Sequence, residues 1–150
     1  MKRIILLVLF SLLSLNFGSV PQSNFNHSNM ECVDTSFLSQ ELNDSILYLA
    51  LVHYEIKEPK IVLAQAKLES ANYTSSIFKR KNNFLGLYNS KKRQYFEFDH
   101  WSECILAYKK MIEYKHKDGE DYYHFLHRIG YAEDPAYLDK VRKIEQDLNV

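Results

Sequence analysis

The segment from Ile61 to Leu68 is the feature that most restricts the fold of this 150-residue chain. Its sequence, IVLAQAKL, places apolar residues on nearly every side of a helix. A helix of that kind is buried in the centre of a domain. Pro59 precedes it, and proline suits the first turn of a helix because its missing N–H is not needed there. We therefore predict a central helix, around which the other elements pack.

An acidic residue, Glu69, stands where this helix should end, four residues after Gln65 and on the same side. A carboxylate at the end of a buried helix loses hydration, which disfavours its charged form and raises its pKa. A carboxyl group that stays protonated near neutral pH can donate a proton to a leaving oxygen, as cleavage of a glycosidic bond requires. The alternative is a helix-end glutamate that pairs with Lys79, Arg80 or Lys81.

The length and net charge of the chain restrict the number of domains and the kinds of ligand that we expect. A chain of 150 residues can bury one core, so we expect one domain. Lys and Arg together number 19, as do Asp and Glu, so the net charge is zero. This removes the general electrostatic argument for nucleic acid, and we predict no nucleic-acid partner. The 11 Tyr and 9 Phe suit sugars or other flat ligands, although we favour core packing with hydroxyls at the rim as their explanation.

The N-terminal 19 residues have the order of a secretory signal. Lys2 and Arg3 precede an apolar run over residues 4–13, and small or polar residues follow at Asn16, Gly18 and Ser19. The run is short for a membrane span, and no A-x-A pattern defines a cleavage site. We predict a signal peptide at 1–19 and export to the periplasm or cell envelope, with membrane contact only if the signal stays uncleaved.

The remaining pattern predicts a mainly α domain with one short β-hairpin. Residues 20–36 are rich in Ser and Asn and are predicted to be a linker, which leaves 37–150 as the domain. Helical spacing predicts a first helix that ends near Lys57, and later helices near 101–114, 120–128 and after 134–135. The stretch between the central helix and residue 88 is predicted to be irregular, and Tyr95, Phe96 and Phe98 predict a strand after a basic turn.

The chain has two cysteines, Cys32 and Cys104, and export would permit a disulfide. Cys104 lies beside the apolar face of a predicted helix, so we interpret it as a buried free thiol, with a bridge to Cys32 as the alternative. The six histidines form no tight ligand cluster, and His124 and His127 fit one solvated helix edge. We predict neither a metal nor a cofactor.

Four stretches occur in an order and spacing typical of one family. They are AQAKLES at 64–70 followed by Ser75, NNFLGLY at 82–88, YFEFDHWSECILAY at 95–108, and YAEDPAYLDKV at 131–141. Together they resemble the glucosaminidase family of peptidoglycan hydrolases, which are endo-β-N-acetylglucosaminidases. The resemblance covers most of the chain after about Ser36. It implies a lysozyme-like helical fold that cleaves the glycan strand of peptidoglycan.

The resemblance also implies roles for individual residues. Glu69 matches the catalytic acid and Tyr131 matches the active-site tyrosine. Asp134 and Pro135 independently predict a helix start, and Tyr137 is assigned to the core. The residues that the resemblance places at the substrate groove are Gln65, Ser75, Asn82, Asn83, Phe84, Gly86 and Tyr88.

Two departures from the family pattern affect the mechanism. The family commonly has Gly-Trp-Gly after the Glu-Ser pair, whereas this chain has Ala71-Asn72-Tyr73, with the aromatic residue one position later. Larger members also carry a second carboxylate on a long hairpin, but residues 89–94 here, NSKKRQ, contain no acid. Glu97 and Asp99 are the nearest candidates for that second group.

Several mechanisms follow from these residues. With Glu69 alone, the 2-acetamido group of the substrate could attack the anomeric carbon, and a lytic route would also need only one acid. We expect a monomeric glycoside hydrolase that acts on peptidoglycan glycan strands. The alternative is a non-catalytic module that binds glycan or an envelope partner. The basic stretches Lys79–Lys81 and Lys91–Arg93 could attract an anionic polymer or could simply be solvated loop charge.

Overall fold

The computed structural model describes residues 35–150. The predicted signal peptide, Cys32 and almost all of the predicted linker lie outside this range, so those predictions stay predictions. Within residues 35–150, no helix combines the length and the apolar character that crossing a membrane requires.

Six α-helices and one two-stranded hairpin make up the described residues, which confirms the predicted mainly α class. The helices are α1 Asp44–His53, α2 Pro59–Glu69, α3 Ser76–Lys81, α4 Trp101–Met111, α5 Tyr122–Arg128 and α6 Tyr137–Gln146, and the strands are β1 Tyr88–Asn89 and β2 Gln94–Tyr95. Single 3-10 turns lie at Ser36–Ser39 and Glu113–Lys115.

The central helix α2 is confirmed. It has Pro59 in its first turn, and every residue from Ile61 to Ala66 is buried. It packs against α1 and α6. Because each large aliphatic side chain on it contributes about 1.5–3 kcal/mol when fully buried, the helix has little freedom to shift, and its last turn is held in one place.

The hairpin is shorter than the sequence suggested. Its register places Tyr88 opposite Tyr95. The predicted strand through Phe98 ends early, because the Phe98 N–H donates to the Lys81 carbonyl in α3 at 3.0 Å instead of to β1. The chain therefore leaves the hairpin after β2 and returns to α3.

Helix α3 lies in the stretch that the sequence predicted to be irregular, so that prediction was wrong for Ser76–Lys81. The Ser75 hydroxyl caps its start by accepting from the Phe78 N–H at 3.2 Å. Asn82 ends it in the left-handed conformation, with φ of +49°. Six residues between two caps form a helix that is too short to give a 3.6-residue pattern.

A left-handed turn links α2 to α3. Ala71, Asn72 and Tyr73 have φ of +50°, +52° and +61°, a region that disfavours residues with a Cβ by about 1–2 kcal/mol each. Ser70 holds the turn, since its hydroxyl accepts from the Tyr73 N–H at 2.8 Å and its carbonyl accepts from the Ser75 N–H at 2.8 Å. Glycine would adopt this conformation with less strain than Ala71 or Tyr73.

Cys104 is buried and, within residues 35–150, unpaired. Its thiol lies 3.8 Å from the Asn83 side-chain oxygen. Burial raises the pKa of this thiol to about 12, so it stays protonated and unreactive. Its pairing with Cys32 stays untested, because Cys32 lies outside the described residues.

Relieving the strain of the left-handed turn should stabilise the fold. Ala71→Gly is expected to raise the free energy of unfolding by roughly 0.5–1 kcal/mol, because glycine adopts positive φ freely and only part of this gain is offset in the unfolded chain. Urea unfolding measures the change. The matched variant Ala107→Gly, inside α4, should lower the free energy of unfolding by about 1 kcal/mol. Destabilisation by both substitutions would contradict the assigned strain.

Candidate active site

A cleft of about 390 Å³ opens at the C-terminal end of α2. This volume lies in the range of ligand-binding pockets. The end of α2, the turn before β1, the end of α4 with its 3-10 turn, and the loop after α5 form its walls. The lining residues are Glu69, Leu85, Gly86, Leu87, Tyr88, Ile112, Lys115, Ile129, Gly130, Tyr131 and Ala132.

Glu69 supplies the carboxylate of this cleft. As a residue it is solvent-exposed, which corrects the expectation that α2 has a buried end. Water reaches the side chain from the cleft, but protein atoms surround its carboxyl group on the other sides. This desolvation raises the pKa of Glu69, and a hydrogen bond with Tyr137 opposes the rise to a smaller extent. The predicted direction of the pKa shift is thus confirmed, although full burial is not.

The ion-pair interpretation of Glu69 is contradicted. None of the ion pairs within residues 35–150 includes it. Lys81, one of the three predicted partners, pairs instead with Glu97 at 2.5 Å, while Lys79 and Arg80 are exposed. The carboxyl group of Glu69 is therefore open to a ligand in the cleft.

Gly86 forms the cleft wall that touches Glu69. Its φ is +62°, and a Cβ built on it would lie 2.9 Å from Glu69 Oε2. Both observations require glycine, because any side chain would be strained in this conformation and would also push against the carboxyl group. The predicted importance of Gly86 thus has a physical cause: the backbone approaches the acid closely.

Asn83 holds the Gly86 turn from behind. Its side-chain oxygen accepts from the Leu87 N–H at 2.9 Å, and its amide donates to the carbonyls of Leu87 at 2.9 Å and Phe96 at 3.0 Å. Asn83 and Phe84 are both buried and do not line the cleft. Both residues therefore lie behind the wall of the cleft, and neither side chain is placed to touch a ligand in it.

Tyr131 lines the cleft beside Glu69. Its hydroxyl donates to the Leu85 carbonyl at 3.2 Å, which ties the loop after α5 to the Gly86 turn. Its ring packs on Tyr137 at 5.6 Å. Desolvation raises the pKa of Tyr131 well above its usual value, so the phenol stays neutral and can orient a ligand but does not act as a base.

Tyr137, which the sequence assigned only to the core, is both buried and in contact with Glu69. Its hydroxyl also lies 3.3 Å from the Gln65 amide nitrogen. Gln65 is fully buried, and its amide oxygen accepts from the Tyr108 hydroxyl at 3.0 Å. The predicted alignment of Gln65 with Glu69 is present, but Gln65 acts behind the cleft through Tyr137. The sequence signal for Tyr137 was its place at the end of YAEDPAY.

The other predicted groove residues divide into two groups. Tyr88 lines the cleft, is 48% exposed, and meets Tyr95 edge to face at 5.2 Å. Ser75 caps α3 and does not line the cleft, and Asn82 donates to the Phe98 carbonyl at 3.0 Å. Of the predicted groove residues, Tyr88 is therefore the one whose aromatic ring is exposed in the cleft.

Neither candidate for a second carboxylate lies in the cleft. Glu97 is exposed and paired with Lys81. Asp99 is exposed just before α4, where its N–H donates to Glu103 at 3.3 Å. Among the cleft-lining residues of the described range, Glu69 is thus the single carboxylate.

The cationic residue of the cleft is Lys115, which the sequence did not single out. No carboxylate within residues 35–150 forms an ion pair with it. The stretches Lys79–Lys81 and Lys91–Arg93 contribute nothing to the lining. Tyr73 also lies elsewhere, since its hydroxyl donates to Asp44 at 2.9 Å.

The chain matches one family model. The model is that of the Glucosaminidase domain, described as mannosyl-glycoprotein endo-beta-N-acetylglucosaminidase, and it matches residues 46–150. This range is more than two thirds of the chain and includes every residue that lines the cleft. No curated protein matches the chain.

Within residues 35–150, no group of three or more His, Cys, Asp and Glu could hold a metal ion.

Displacing the Glu69 carboxyl group should impair activity more than stability. Gly86→Ala is expected to lower the rate of glycan cleavage about a hundred-fold, because a shift of about 1 Å in a catalytic group has an effect of this size. Gly119→Ala is the matched control, since Gly119 has φ of +76° but a Cβ there meets no atom within 4 Å. Both variants should lose about 1–2 kcal/mol of stability. Equal activity in the two would contradict the assigned contact.

Proposed function

Because the chain belongs to the glucosaminidase family of glycoside hydrolases, we propose that it cleaves the β-1,4 glycosidic bond of peptidoglycan at N-acetylglucosamine, with Glu69 as general acid. One observation carries the proposal. A carboxyl group with a raised pKa and no cationic partner within residues 35–150 faces an open cleft of ligand size.

The first step needs a protonated carboxyl group at the leaving oxygen. Glu69 donates its proton to the glycosidic oxygen while the bond from that oxygen to the anomeric carbon breaks and its electron pair moves to the oxygen. Desolvation supports this role because it keeps the acid protonated at a higher pH than an ordinary glutamate. The resulting carboxylate then recovers a proton from the attacking water.

The lack of a second carboxylate in the cleft favours a substrate-assisted route. A protein nucleophile would need a carboxylate about 5 Å from Glu69, and a water-activating base would need one at about 6.5–9.5 Å. In the substrate-assisted route the oxygen of the 2-acetamido group bonds to the anomeric carbon, and water later opens that ring. The Tyr131 hydroxyl donates to Leu85, so its oxygen is still able to accept from the acetamido N–H.

Two further groups suit a peptide-bearing glycan. The exposed ring of Tyr88 provides an apolar face for a sugar ring. Lys115 provides a positive charge in the same cleft, and stem peptides carry carboxylates. These two groups support peptidoglycan as the substrate, since both line the cleft that contains Glu69.

A substrate outside the cytoplasm requires export of the enzyme. We propose that residues 1–19 are a signal peptide and that 37–150 are the catalytic domain. N-terminal sequencing of the protein from the cell-envelope fraction should give a start near Val20. Recovery of the full-length chain from the soluble cytoplasm would contradict export.

A glycan-binding module without turnover is the second candidate. The single carboxylate of the cleft favours it, since an enzyme that relies on two carboxylates could not work with Glu69 alone. The raised pKa of Glu69 argues for the enzyme, because binding alone does not need a protonated acid.

Product analysis separates these functions. Purified sacculi are incubated with the protein, and the released fragments are identified by mass spectrometry. Fragments with reducing N-acetylglucosamine ends are expected. Reducing N-acetylmuramic ends would replace the proposed bond specificity, anhydro ends would indicate the lytic route, and retained binding without fragments would indicate the binding module.

Removing the transferable proton should abolish most of the activity. Glu69→Gln is expected to lower the cleavage rate by roughly a hundred- to ten-thousand-fold, the usual contribution of general acid catalysis. Glu97→Gln is the matched control outside the cleft and should cleave at nearly the wild-type rate. A folded Glu69→Gln variant that cleaves as fast as wild type would remove Glu69 from the mechanism.

The raised pKa of Glu69 determines how stability and cleavage change with pH. Because the pKa of Glu69 is raised by folding, the folded state holds this proton more tightly than the unfolded state. Stability should therefore fall as the pH rises from the ordinary glutamate value through the raised pKa. Cleavage should fall over the alkaline part of the same window. Glu69→Gln should remove this loss of stability, which thermal unfolding at several pH values measures.

A further inference from the structure

The charged residues among those that line the cleft are Glu69 and Lys115. They stand on different walls, since Glu69 ends α2 and Lys115 ends the 3-10 turn Glu113–Lys115 that follows α4. In the proposed mechanism Glu69 is protonated before cleavage, so Lys115 then supplies the only charge among the lining residues. A cleft with one positive charge attracts an anionic ligand more strongly than a neutral one.

The ammonium group of Lys115 forms no ion pair in the part of the chain that the structure describes. Its Nζ lies 5.7 Å from the centre of the Tyr114 ring. Tyr114 is 64% exposed, and a cation over an exposed ring is held weakly. A lysine ammonium has three donor hydrogens on a flexible four-carbon stem. It can therefore turn to a carboxylate in the cleft without breaking an ion pair.

The backbone that carries Lys115 is held at both ends of its turn. At the first end, the buried side chain of Glu113 accepts from the Lys57 N–H at 2.9 Å. At the second end, the Lys115 carbonyl accepts from Arg128 Nη2 at 2.9 Å, and the Lys115 N–H donates to the Ile112 carbonyl at 3.1 Å. A group on a backbone that is already fixed loses less freedom when it binds a ligand.

Glu120 in turn holds Arg128. Its two carboxylate oxygens accept from Arg128 Nε at 2.6 Å and from Nη2 at 2.7 Å, which is a bidentate pair. One of these oxygens also accepts from the Lys117 N–H at 3.1 Å. The hydrogen bond from Arg128 lowers the pKa of Glu120 to about 2, so this carboxylate stays ionised at neutral pH.

Arg128 also connects two walls of the cleft. It is the last residue of α5, and the residues that follow it directly, Ile129 and Gly130, line the cleft next to Tyr131. Its Nη2 donates at the same time to the carbonyl of Lys115 in the 3-10 turn. The guanidinium group therefore fixes the backbone of Lys115 relative to the loop that carries Tyr131.

We propose that Lys115 is a specificity-determining residue whose ammonium group binds a carboxylate of the glycan strand, and that Arg128 and Glu120 position it. That a glycan strand is the ligand of this cleft rests on the proposed function. With this contact, a carboxylate-bearing strand binds more tightly than a neutral N-acetylglucosamine polymer with the same β-1,4 bonds. In peptidoglycan the carboxylate belongs to the stem peptide, or to the lactyl group of N-acetylmuramic acid where the peptide has been removed.

Equilibrium binding to three ligands tests this recognition, with Glu69→Gln in every protein so that no ligand is cleaved. The ligands are peptide-bearing glycan strands, the same strands after removal of the peptides, and a neutral N-acetylglucosamine oligomer. The first carries stem-peptide carboxylates, the second carries lactyl carboxylates, and the third carries none. The comparison therefore shows whether Lys115 binds a carboxylate and which of the two it binds.

Lys115→Met removes the charge of this half-buried residue and keeps most of its apolar length. It is expected to weaken binding of peptide-bearing strands roughly three- to ten-fold at low salt, the effect of one charge-assisted contact at such a site. The loss should shrink as salt screens the charge, and binding of the neutral oligomer should not change. A loss confined to the peptide-free strands would assign the contact to the lactyl carboxylate. An equal loss for the neutral oligomer, or no loss for either strand, would overturn the proposal.

Lys117→Met is the matched control. Lys117 lies two residues later, is exposed, and is not among the lining residues. Its substitution removes the same charge from the protein and should leave binding of all three ligands unchanged. Lys115→Arg keeps a cation in the cleft and should retain most of the affinity. If Lys117→Met weakened binding as much as Lys115→Met, net charge alone would attract the strand and the proposal would fail.

Arg128→Lys tests the positioning role. Lysine keeps the charge but cannot bond to both oxygens of Glu120 and to the Lys115 carbonyl at once. It is expected to weaken binding of peptide-bearing strands about two- to three-fold when Lys115 is present, and to have no effect together with Lys115→Met, because the two substitutions act through one contact. Equal effects with and without Lys115 would overturn the positioning role.

Binding and cleavage together separate this proposal from the proposed function. If the Lys115 variants show the expected losses but the protein without Glu69→Gln releases no fragments from sacculi, the catalytic function is contradicted and carboxylate recognition stands. If that protein cleaves sacculi and Lys115→Met binds every ligand as tightly as its parent, carboxylate recognition alone is contradicted. Failure to bind any of the three ligands would contradict both.

Discussion

The burial of α2 is the constraint on which the site depends. This helix is apolar on nearly all sides, so it must lie between α1 and α6, and its last turn can emerge at only one place. Glu69 stands at that place. The one fully buried polar residue of the helix, Gln65, lies one turn earlier, where its amide contacts the hydroxyls of Tyr137 and Tyr108. The helix α2 therefore both packs in the centre of the domain and carries the acidic residue of the cleft.

The segments around Glu69 are held in conformations that few residues tolerate. The left-handed turn at 71–73 begins two residues after the acid, and Gly86 brings its backbone close to the carboxyl group. Hydrogen bonds of the buried residues Ser70 and Asn83 hold these two turns. Strain next to a reactive group, held by buried polar contacts, is characteristic of functional sites.

The sequence predicted those features that local pattern determines. The burial of α2 follows from one uninterrupted apolar run, and the raised pKa of Glu69 follows from its place at the end of that run. Helix α3 was missed because two caps, not periodicity, define it. Tyr137 and Lys115 were missed because their places beside Glu69 arise from contacts between segments distant in sequence.

A crystal structure of the Glu69→Gln variant with a bound peptidoglycan fragment tests the central claim most directly. Our account predicts a glycosidic oxygen within about 2.6–3.2 Å of the residue 69 side chain, the distance that proton transfer requires. It also predicts the 2-acetamido group beside the Tyr131 hydroxyl. A fragment bound in the cleft with its glycosidic oxygen out of reach of residue 69, or bound at another surface, would contradict the account.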